Sequence, residues 1–524
     1  MTSRLAQRVA QLKDISAGQL LEGRRIGLEK ETLRVNPQGS ISQTSHPAQL
    51  GSALTNPYIT TDYSEALLEL VTPPCESAKA AMAFLSDTQK FVFTKLDDEM
   101  LWATSMPCVV AGETSIPIAQ YGSSHAGTMK TVYRKGLGYR FGRVMQVIAG
   151  VHFNYSLPQK FWQAYQAIEK DNSKPQTFID EQYFGILRNL QRMGWLIPYL
   201  FGASPAVCKS FLAGAETNLQ DFDENTYYEQ YATSLRMGDI GYQNNKENET
   251  GIKANYDNLQ KYTDSLRVAI STPCPEYEKL GVEVDGEYRQ LNANILQIEN
   301  EYYSTVRPKQ VPRGNEKPST ALTQRGVEYI ELRSLDVNAF EPLGVSETQL
   351  YFLEAFVLFC LLTESPLIDD QERTEIDQNE LATAHRGRDP ELLLQRNGES
   401  VSLKAWALEV VTAMQEICEL LDANVDGKPY QEALAQQTEA IHNPELTPSA
   451  IMLNEMRERQ EGFYHFARRM SVQHCEYFTN VNVSAQSQQL METTAQDSLQ
   501  RQQQIEAGDS GSFAEYLEDY FKAE

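Results

Sequence analysis

Nine carboxylates sit inside segments that otherwise read as strands or apolar runs. They are Glu29 and Glu31 in IGLEKETLRVN, Asp62, Glu65 and Glu69 in TTDYSEALLELVTPP, Glu299 and Glu301 in LQIENEYYS, and Glu328 and Glu331 in EYIELRSLD. Side chains alternate between the two faces of a strand, so Tyr329, Glu331 and Arg333 share one face while Glu328, Ile330 and Leu332 share the other. The ordinary reading of such a charged face is that it lies in water. The alternative is a lined cavity, where a buried carboxylate must be paired or bound to a metal because its isolated charge is costly. Carboxylate oxygens are what Mg2+ takes up together with water and substrate phosphates. If these segments converge on one cavity, Glu331 binds a metal there and Arg333 an anionic group, each moderating the other's field.

Other residues could join them. His152 stands in GVHFNYS, on a strand-like run with Asn154 and Ser156 at the same parity. A lone histidine is more often a core residue bonded to backbone, but its polar neighbours leave a site role open. The stretch QYGSSHAGTMKTVYRKGLGYRFGR, residues 120–143, has the composition of a loop. It also carries Lys130, Arg134, Lys135, Arg140 and Arg143 in an acidic chain, which makes it a candidate anion site. There is no HExxH for a catalytic zinc, no GxxxxGK[ST] or strand-linked GxGxxG for a nucleotide, and no GxSxG elbow.

The elements that must position these residues follow from periodicity. Residues 1–23 and 76–98 read as helices, and 159–200 as helical throughout. IGLEKETLRVN reads as a strand closed by the turn PQGS, with Gly39 free to take positive φ. TTDYSEALLELVTPP fits a strand or a short helix, stopped by Pro73 and Pro74. VMQVIAGVHFNYSLP and GVEYIELRSLDVN read as strands, and YRQLNANILQIENEYYSTVRPK alternates until Pro308 ends the element. From about residue 345 the period is helical. FLEAFVLFCLLT, residues 352–363, suits a buried helix and is too short to span a bilayer. The tail AQSQQLMETTAQDSLQRQQQIEAGDSG is a solvated helix or partly disordered.

The chain of 524 residues is large enough for one domain with a helical appendage or for two. We expect a catalytic core over 1–345 and a mainly helical region over 346–524. With 71 acidic against 46 basic residues the net charge is −25, which argues against a nucleic-acid partner. It does not exclude an anionic substrate, since local cations can reverse the field. The N-terminus has no continuous apolar stretch of the signal-peptide kind, and we expect no membrane association. Seven widely spaced cysteines, none in a CxxC pair, argue against a disulfide framework or structural zinc and for a reducing, cytoplasmic setting.

Long motifs then make a resemblance plain. GLEKETLRVN, GSALTNPYITTDYSEALLELVTP, MPCVVAG, IAQYGSS, GVHFNYSLP, WLIPYLFGASPAVC, YATSLRMGDIGY, LQIENEYYSTVRPK and GVEYIELRSLD occur in one order along nearly the whole chain. In this the chain resembles the proteobacterial glutamate–cysteine ligases, or γ-glutamylcysteine synthetases. The resemblance implies an α+β fold like that of glutamine synthetase, with an antiparallel sheet forming a funnel-like cavity surrounded by helices. It implies ATP-dependent joining of L-glutamate to L-cysteine with Mg2+ or Mn2+, the first step of glutathione biosynthesis, by a monomer. On matching positions it implies metal ligation by Glu29, Glu31, Asp62, Glu69, His152 and Glu331. It implies Arg236 and His152 at the glutamate, Tyr133, Tyr242 and Tyr303 around the cysteine, Lys130, Arg134 and Arg333 at the ATP phosphates, and Glu331 with Arg333 at the reacting phosphoryl group. Two rivals stand beside it: a ligase for another amine, and an inactive binding protein on the same scaffold.

Overall fold

In the computed structural model, residues 3–15, 17–241 and 253–522 are described. A seven-stranded antiparallel sheet organises them: β1 (Arg25–Val35), β2 (Ile59–Thr61), β3 (Leu67–Val71), β4 (Met100–Leu101), β5 (Gly150–Ser156), β6 (Val306–Lys309) and β7 (Tyr329–Asp336). The order is β6-β7-β5-β1-β3-β2, with β4 paired to the end of β1. Strands from three distant parts of the chain are thus neighbours, and helices fill the intervals. The fold is α+β.

The sheet has two unlike faces, set by the period-2 rule. Ile26 and Leu28 of β1, Phe153 and Tyr155 of β5, and Ile330 and Leu332 of β7 are buried in apolar surroundings. The helices Ala78–Phe93, Pro175–Met193 and Glu347–Leu362 belong to the same core. The last is apolar on nearly every side and is buried along its length, as FLEAFVLFCLLT requires. Its one deep carboxylate, Glu354, is met by the Tyr155 hydroxyl at 3.1 Å, the Tyr430 hydroxyl at 2.6 Å and the Arg24 guanidinium. The apolar cluster is continuous from Leu5 to Met491 and so draws on both regions of the chain.

Several elements differ from expectation. TTDYSEALLELV resolves into β2, a turn and β3. The glycine-rich stretch is a regular helix, His125–Phe141, not a loop, and Ser124 caps it through the Gly127 N–H. Glycine lies in this helix for close approach: a Cβ at Gly136 would come within 2.1 Å of Gln297 Oε1. YRQLNANILQIENE is mostly irregular, with a short 3-10 turn at Glu299–Glu301. Pro308 does not end the element but sits inside β6, tolerated because β6 is an edge strand. The tail forms the helix Ala485–Gly508, anchored by buried Met491, Ala495 and Ser498. Cys108 and Cys208 form a disulfide across 100 residues, with Cα atoms 5.5 Å apart, a pairing that the argument from cysteine spacing against a disulfide framework did not foresee. Among the described residues no helix is long and apolar enough to cross a membrane.

Candidate active site

The other face of the sheet carries a row of charge. Cross-strand pairing sets Arg307 opposite Glu331, Glu331 opposite Asn154, Asn154 opposite Gly27, Glu29 opposite His152, and Glu31 opposite Glu69. Each pair shares a face, so the parity of IGLEKE, GVHFN and EYIELR brings their polar residues together.

At the centre, His152 Nδ1 lies 3.0 Å from Glu29 Oε2 and 3.7 Å from Glu331 Oε1, and Nε2 lies 3.6 Å from Glu31 Oε1. One ligand atom each from Glu29, His152 and Glu331 lies within 4.8 Å of the other two. Asn154 Nδ2 donates to Glu29 Oε1 at 2.7 Å, and the Gly150 N–H donates to Glu31 Oε2 at 2.7 Å. Glu331 is 1% exposed. Its Oε1 has Lys309 Nζ at 3.0 Å and Arg333 Nη1 at 3.2 Å, yet neither oxygen has a well-formed hydrogen bond. Asn154 Oδ1 and His152 Nε2 are likewise buried without one.

The electrostatics divide the row in two. Burial pushes the Glu331 carboxyl up, but Lys309, Arg333 and His152 prevail and hold it well below the usual range. Burial also raises Glu29, and the hydrogen bond with His152 brings it below its ordinary value. Glu31 and Glu69 behave oppositely. Burial raises both, Asp62 raises both further, and Glu69 also feels Glu29 and Glu31. A cluster of carboxylates that force one another toward the neutral form is what a divalent cation relieves. The orphaned buried oxygens and this acidic cluster fit a bound Mg2+ by donor type.

Of the nine carboxylates, Glu29, Glu31, Asp62, Glu69 and Glu331 therefore converge. The other four have structural or solvated roles. Glu65 accepts the N–H groups of His46 and Gln120. Glu299 takes the Ser319 N–H and hydroxyl at the start of the helix Pro318–Arg325. Glu301 forms a fully buried pair with Arg140 at 3.1 Å, which removes Arg140 from any anion site. Glu328 is exposed.

The remaining candidates are placed as follows. Arg236 lies in the 3-10 turn Leu235–Met237, buried, with Nη2 donating to the Arg333 carbonyl at 3.0 Å and Nη1 3.6 Å from Asp336 Oδ1. Lys130 and Arg134 project from the His125 helix over the Tyr121 ring, at 5.2 and 4.6 Å from its centroid. Arg134 also donates to the Asp62 carbonyl, so both cations stand at the Asp62–Glu69 side. Burial and then Arg134 push the Lys130 amine down to about 8. Tyr133 is on the same helix, its hydroxyl pushed up by burial and then by Glu301. The Tyr303 hydroxyl donates to Gln146 Oε1 at 2.9 Å, just ahead of β5. Tyr242 lies outside the described residues. Sequence reasoning missed Arg307 and Lys309, whose alternation in VRPK is the signal that could have found them, and it took Asn154 only as a polar neighbour of His152.

Comparisons with known proteins point to one family. The family model described as glutamate-cysteine ligase matches residues 9–383. A glutamate–cysteine ligase of Alcanivorax borkumensis is 48% identical over 522 residues, covering 99% of each chain. One from Pseudomonas putida strain W619 is 46% identical over 494 residues, 94% of each chain. The crystal structure of a glutamate–cysteine ligase from Francisella tularensis in complex with AMP superposes with a TM-score of 0.89 at 35% identity, covering 95% of this chain and 97% of that one. The chain belongs to the glutamate–cysteine ligase family.

Proposed function

We infer that this chain joins the γ-carboxylate of L-glutamate to the amine of L-cysteine, converting ATP to ADP and phosphate and giving γ-L-glutamyl-L-cysteine for glutathione synthesis. The observation that carries the reading is the row on the sheet face, where a cationic end (Arg307, Lys309, Arg333) abuts an acidic end (Glu29, Glu31, Asp62, Glu69) across His152 and Glu331. Such a surface suits a polyanion brought against divalent cations.

A carboxylate is a poor acyl donor because its leaving group is oxide. Transfer of the ATP γ-phosphoryl group to the γ-carboxylate gives γ-glutamyl phosphate and ADP. The cysteine amine then attacks the carbonyl carbon, the C–O bond to phosphate breaks, and phosphate leaves while the amine loses a proton. The first step depends on placing reactants in line and neutralising spread negative charge. Arg333 presents its planar fork to the phosphoryl oxygens, with Lys130, Arg134 and Lys309 as further cations near the phosphates. Arg236 holds the substrate glutamate carboxylate beside His152. Glu29, His152 and Glu331, with Glu31, Asp62 and Glu69, would hold Mg2+, or Mn2+ in its place. When bound, the metal neutralises phosphate charge and orients the transferring group. Tyr133 and Tyr303 are assigned to the cysteine end, where aromatic rings make a polarisable contact to sulfur. Burial of Glu31, His152 and Glu331 limits water, which would hydrolyse the acyl phosphate.

We propose a monomer as the working unit, and we place the reaction in the cytoplasm, where ATP and both amino acids are at hand. The test is a purified preparation given ATP, glutamate and Mg2+, with ADP and γ-glutamylcysteine both followed. ADP release that rises with cysteine and matches dipeptide formation supports the reading. Stimulation by another amine and not by cysteine, or no turnover at all, would favour one of the rivals.

A further inference from the structure

The strand β7 does not end its work at Arg333. Tyr329, Glu331 and Arg333 face the site, and strict alternation would continue with Leu335, sending Asp336 to the helix side. The register says otherwise. Leu332 pairs with Phe153 and Leu335 with Val151, so three steps on β7 match two on β5. This one-residue bulge resets the parity. Leu335 goes into the apolar core, and Asp336 pairs with Gly150 on the face that carries His152. Bulges concentrate beside active sites because they re-aim a side chain in this way.

The re-aimed carboxylate is fully buried and meets a dedicated set of donors. Asp336 Oδ2 accepts the Ala203 N–H at 2.8 Å and the Ser204 hydroxyl at 2.6 Å, and Oδ1 accepts the Ser234 hydroxyl at 2.9 Å. Both serines in turn fix the turn that bears Arg236. Ser204 Oγ accepts the Arg236 N–H, and Ser234 Oγ accepts the Met237 N–H, each at 3.2 Å. The guanidinium lies 3.6 Å from Asp336 Oδ1, too long for a hydrogen bond but close for charge in a buried setting. Its Nη2 donates to the Arg333 carbonyl, on the same strand. Gly150 leaves it room, since a Cβ there would come within 2.1 Å of Nη2.

We propose that Asp336 is a positioning residue for substrate glutamate: through Ser204 and Ser234 it fixes the turn carrying Arg236, and its charge holds that guanidinium against the end of β7. The inference rests on the reading of Arg236 as the glutamate-binding arginine. One strand then registers both reactants. Glu331 and Arg333 address the phosphoryl group, and Asp336 with the Arg333 carbonyl addresses the arginine that holds the acceptor. A slip between them would misplace the γ-carboxylate relative to phosphorus, where a displacement near 1 Å is enough to slow reaction strongly.

The test compares Asp336→Asn, Arg236→Gln and the double variant, with KM for each substrate, kcat and the melting temperature measured on the same preparations. Asn keeps the shape and removes the charge, and a charge-assisted contact of this kind corresponds to a rise of about tenfold in the KM for glutamate. The KM values for ATP and cysteine stay near those of the unaltered chain, and the double variant is no worse than Arg236→Gln alone. If Asp336→Asn does not fold, Ser204→Ala and Ser234→Ala are read in its place, each with a several-fold rise confined to glutamate. If Arg236→Gln leaves the glutamate KM unchanged, the arginine assignment fails and the inference with it. If Arg236→Gln raises that KM while Asp336→Asn or the serine variants leave it alone, or raise all three KM values together with a lower melting temperature, Asp336 is scaffold only and the inference is overturned.

Discussion

Among single residues, Glu331 sits where the charges of the site meet. It is buried, its charge is maintained by Lys309, Arg333 and His152, and its oxygens lack ordinary hydrogen bonds. An internal ion pair kept only for stability would be a poor investment of burial, since buried pairs seldom outdo an apolar replacement. Glu331→Gln keeps the shape and removes the charge. Turnover at saturating Mg2+ should fall at least ~100-fold, the scale of losing one central electrostatic contact, with the urea midpoint nearly unchanged. Near-normal turnover would leave Glu331 as part of the sheet. Arg333 asks a sharper question, because its 3.2 Å contact with Glu331 is also what a purely structural pair would show. Arg333→Lys preserves that pair but not the planar fork. A lowered kcat with ATP affinity retained supports the phosphoryl role; a lowered urea midpoint with kcat intact removes it. The opening parity of EYIELR was legible in the sequence because a strand's period is two and one residue's side fixes the next. Which carboxylates converge was not legible. Glu299 and Glu301 look like Glu29 and Glu31 in sequence, yet one caps a helix and the other neutralises Arg140, and those partners lie at sequence distances that no local pattern reports.

At the scale of elements, the His125 helix shows what composition hides. Three glycines between Ser124 and Gly142 read as a loop, but Gly136 serves the fit between helix and the irregular segment 289–303. Gln297 Oε1 accepts the Leu291 N–H, and Nε2 donates to the Tyr133 carbonyl. Gly136→Ala drives a Cβ into that amide. We expect a loss of about 1–3 kcal/mol in urea unfolding, the usual range for overpacking; an unchanged midpoint would mean the segment is loosely held. A second element-level device is His385, at the end of the helix Asp370–Arg386. Its Nδ1 is 2.7 Å from Glu229 and its Nε2 is 3.1 Å from Asp239, which pins the 229–239 segment that includes Arg236. Burial lowers the imidazole, but the hydrogen bond to Glu229 and the two carboxylate charges prevail and raise it above the ordinary value. The stabilisation is therefore complete below about pH 6.5, where the unfolded histidine is also charged. It is lost as pH rises through the raised folded value. His385→Gln should lower the melting temperature clearly at pH 6 and little at pH 9. An equal loss at both values would show that the ring's charge is irrelevant.

At the scale of the whole molecule, the sheet is built from segments near residues 30, 65, 100, 153, 307 and 332, and only their assembly makes a site. The apolar cluster from Leu5 to Met491 crosses residue 345, so we propose that the catalytic core and the helical region unfold as one unit. Most element positions were readable from periodicity, since helix and strand stamp their own periods on the chain, while the α+β class came from the resemblance that the long motifs carry. Strand order, the bulge that turns Asp336 inward, and the pairing of Cys108 with Cys208 were not, because each is decided by contacts remote in sequence. The chemistry we propose for this face is activation of glutamate by phosphorylation of its γ-carboxylate. It is tested most directly by supplying glutamate labelled with 18O in both γ-carboxylate oxygens, together with ATP, Mg2+ and cysteine, and analysing the products by mass spectrometry. One 18O per turnover should appear in inorganic phosphate and one should remain in the new amide. Dipeptide formed with no label in phosphate would contradict the account.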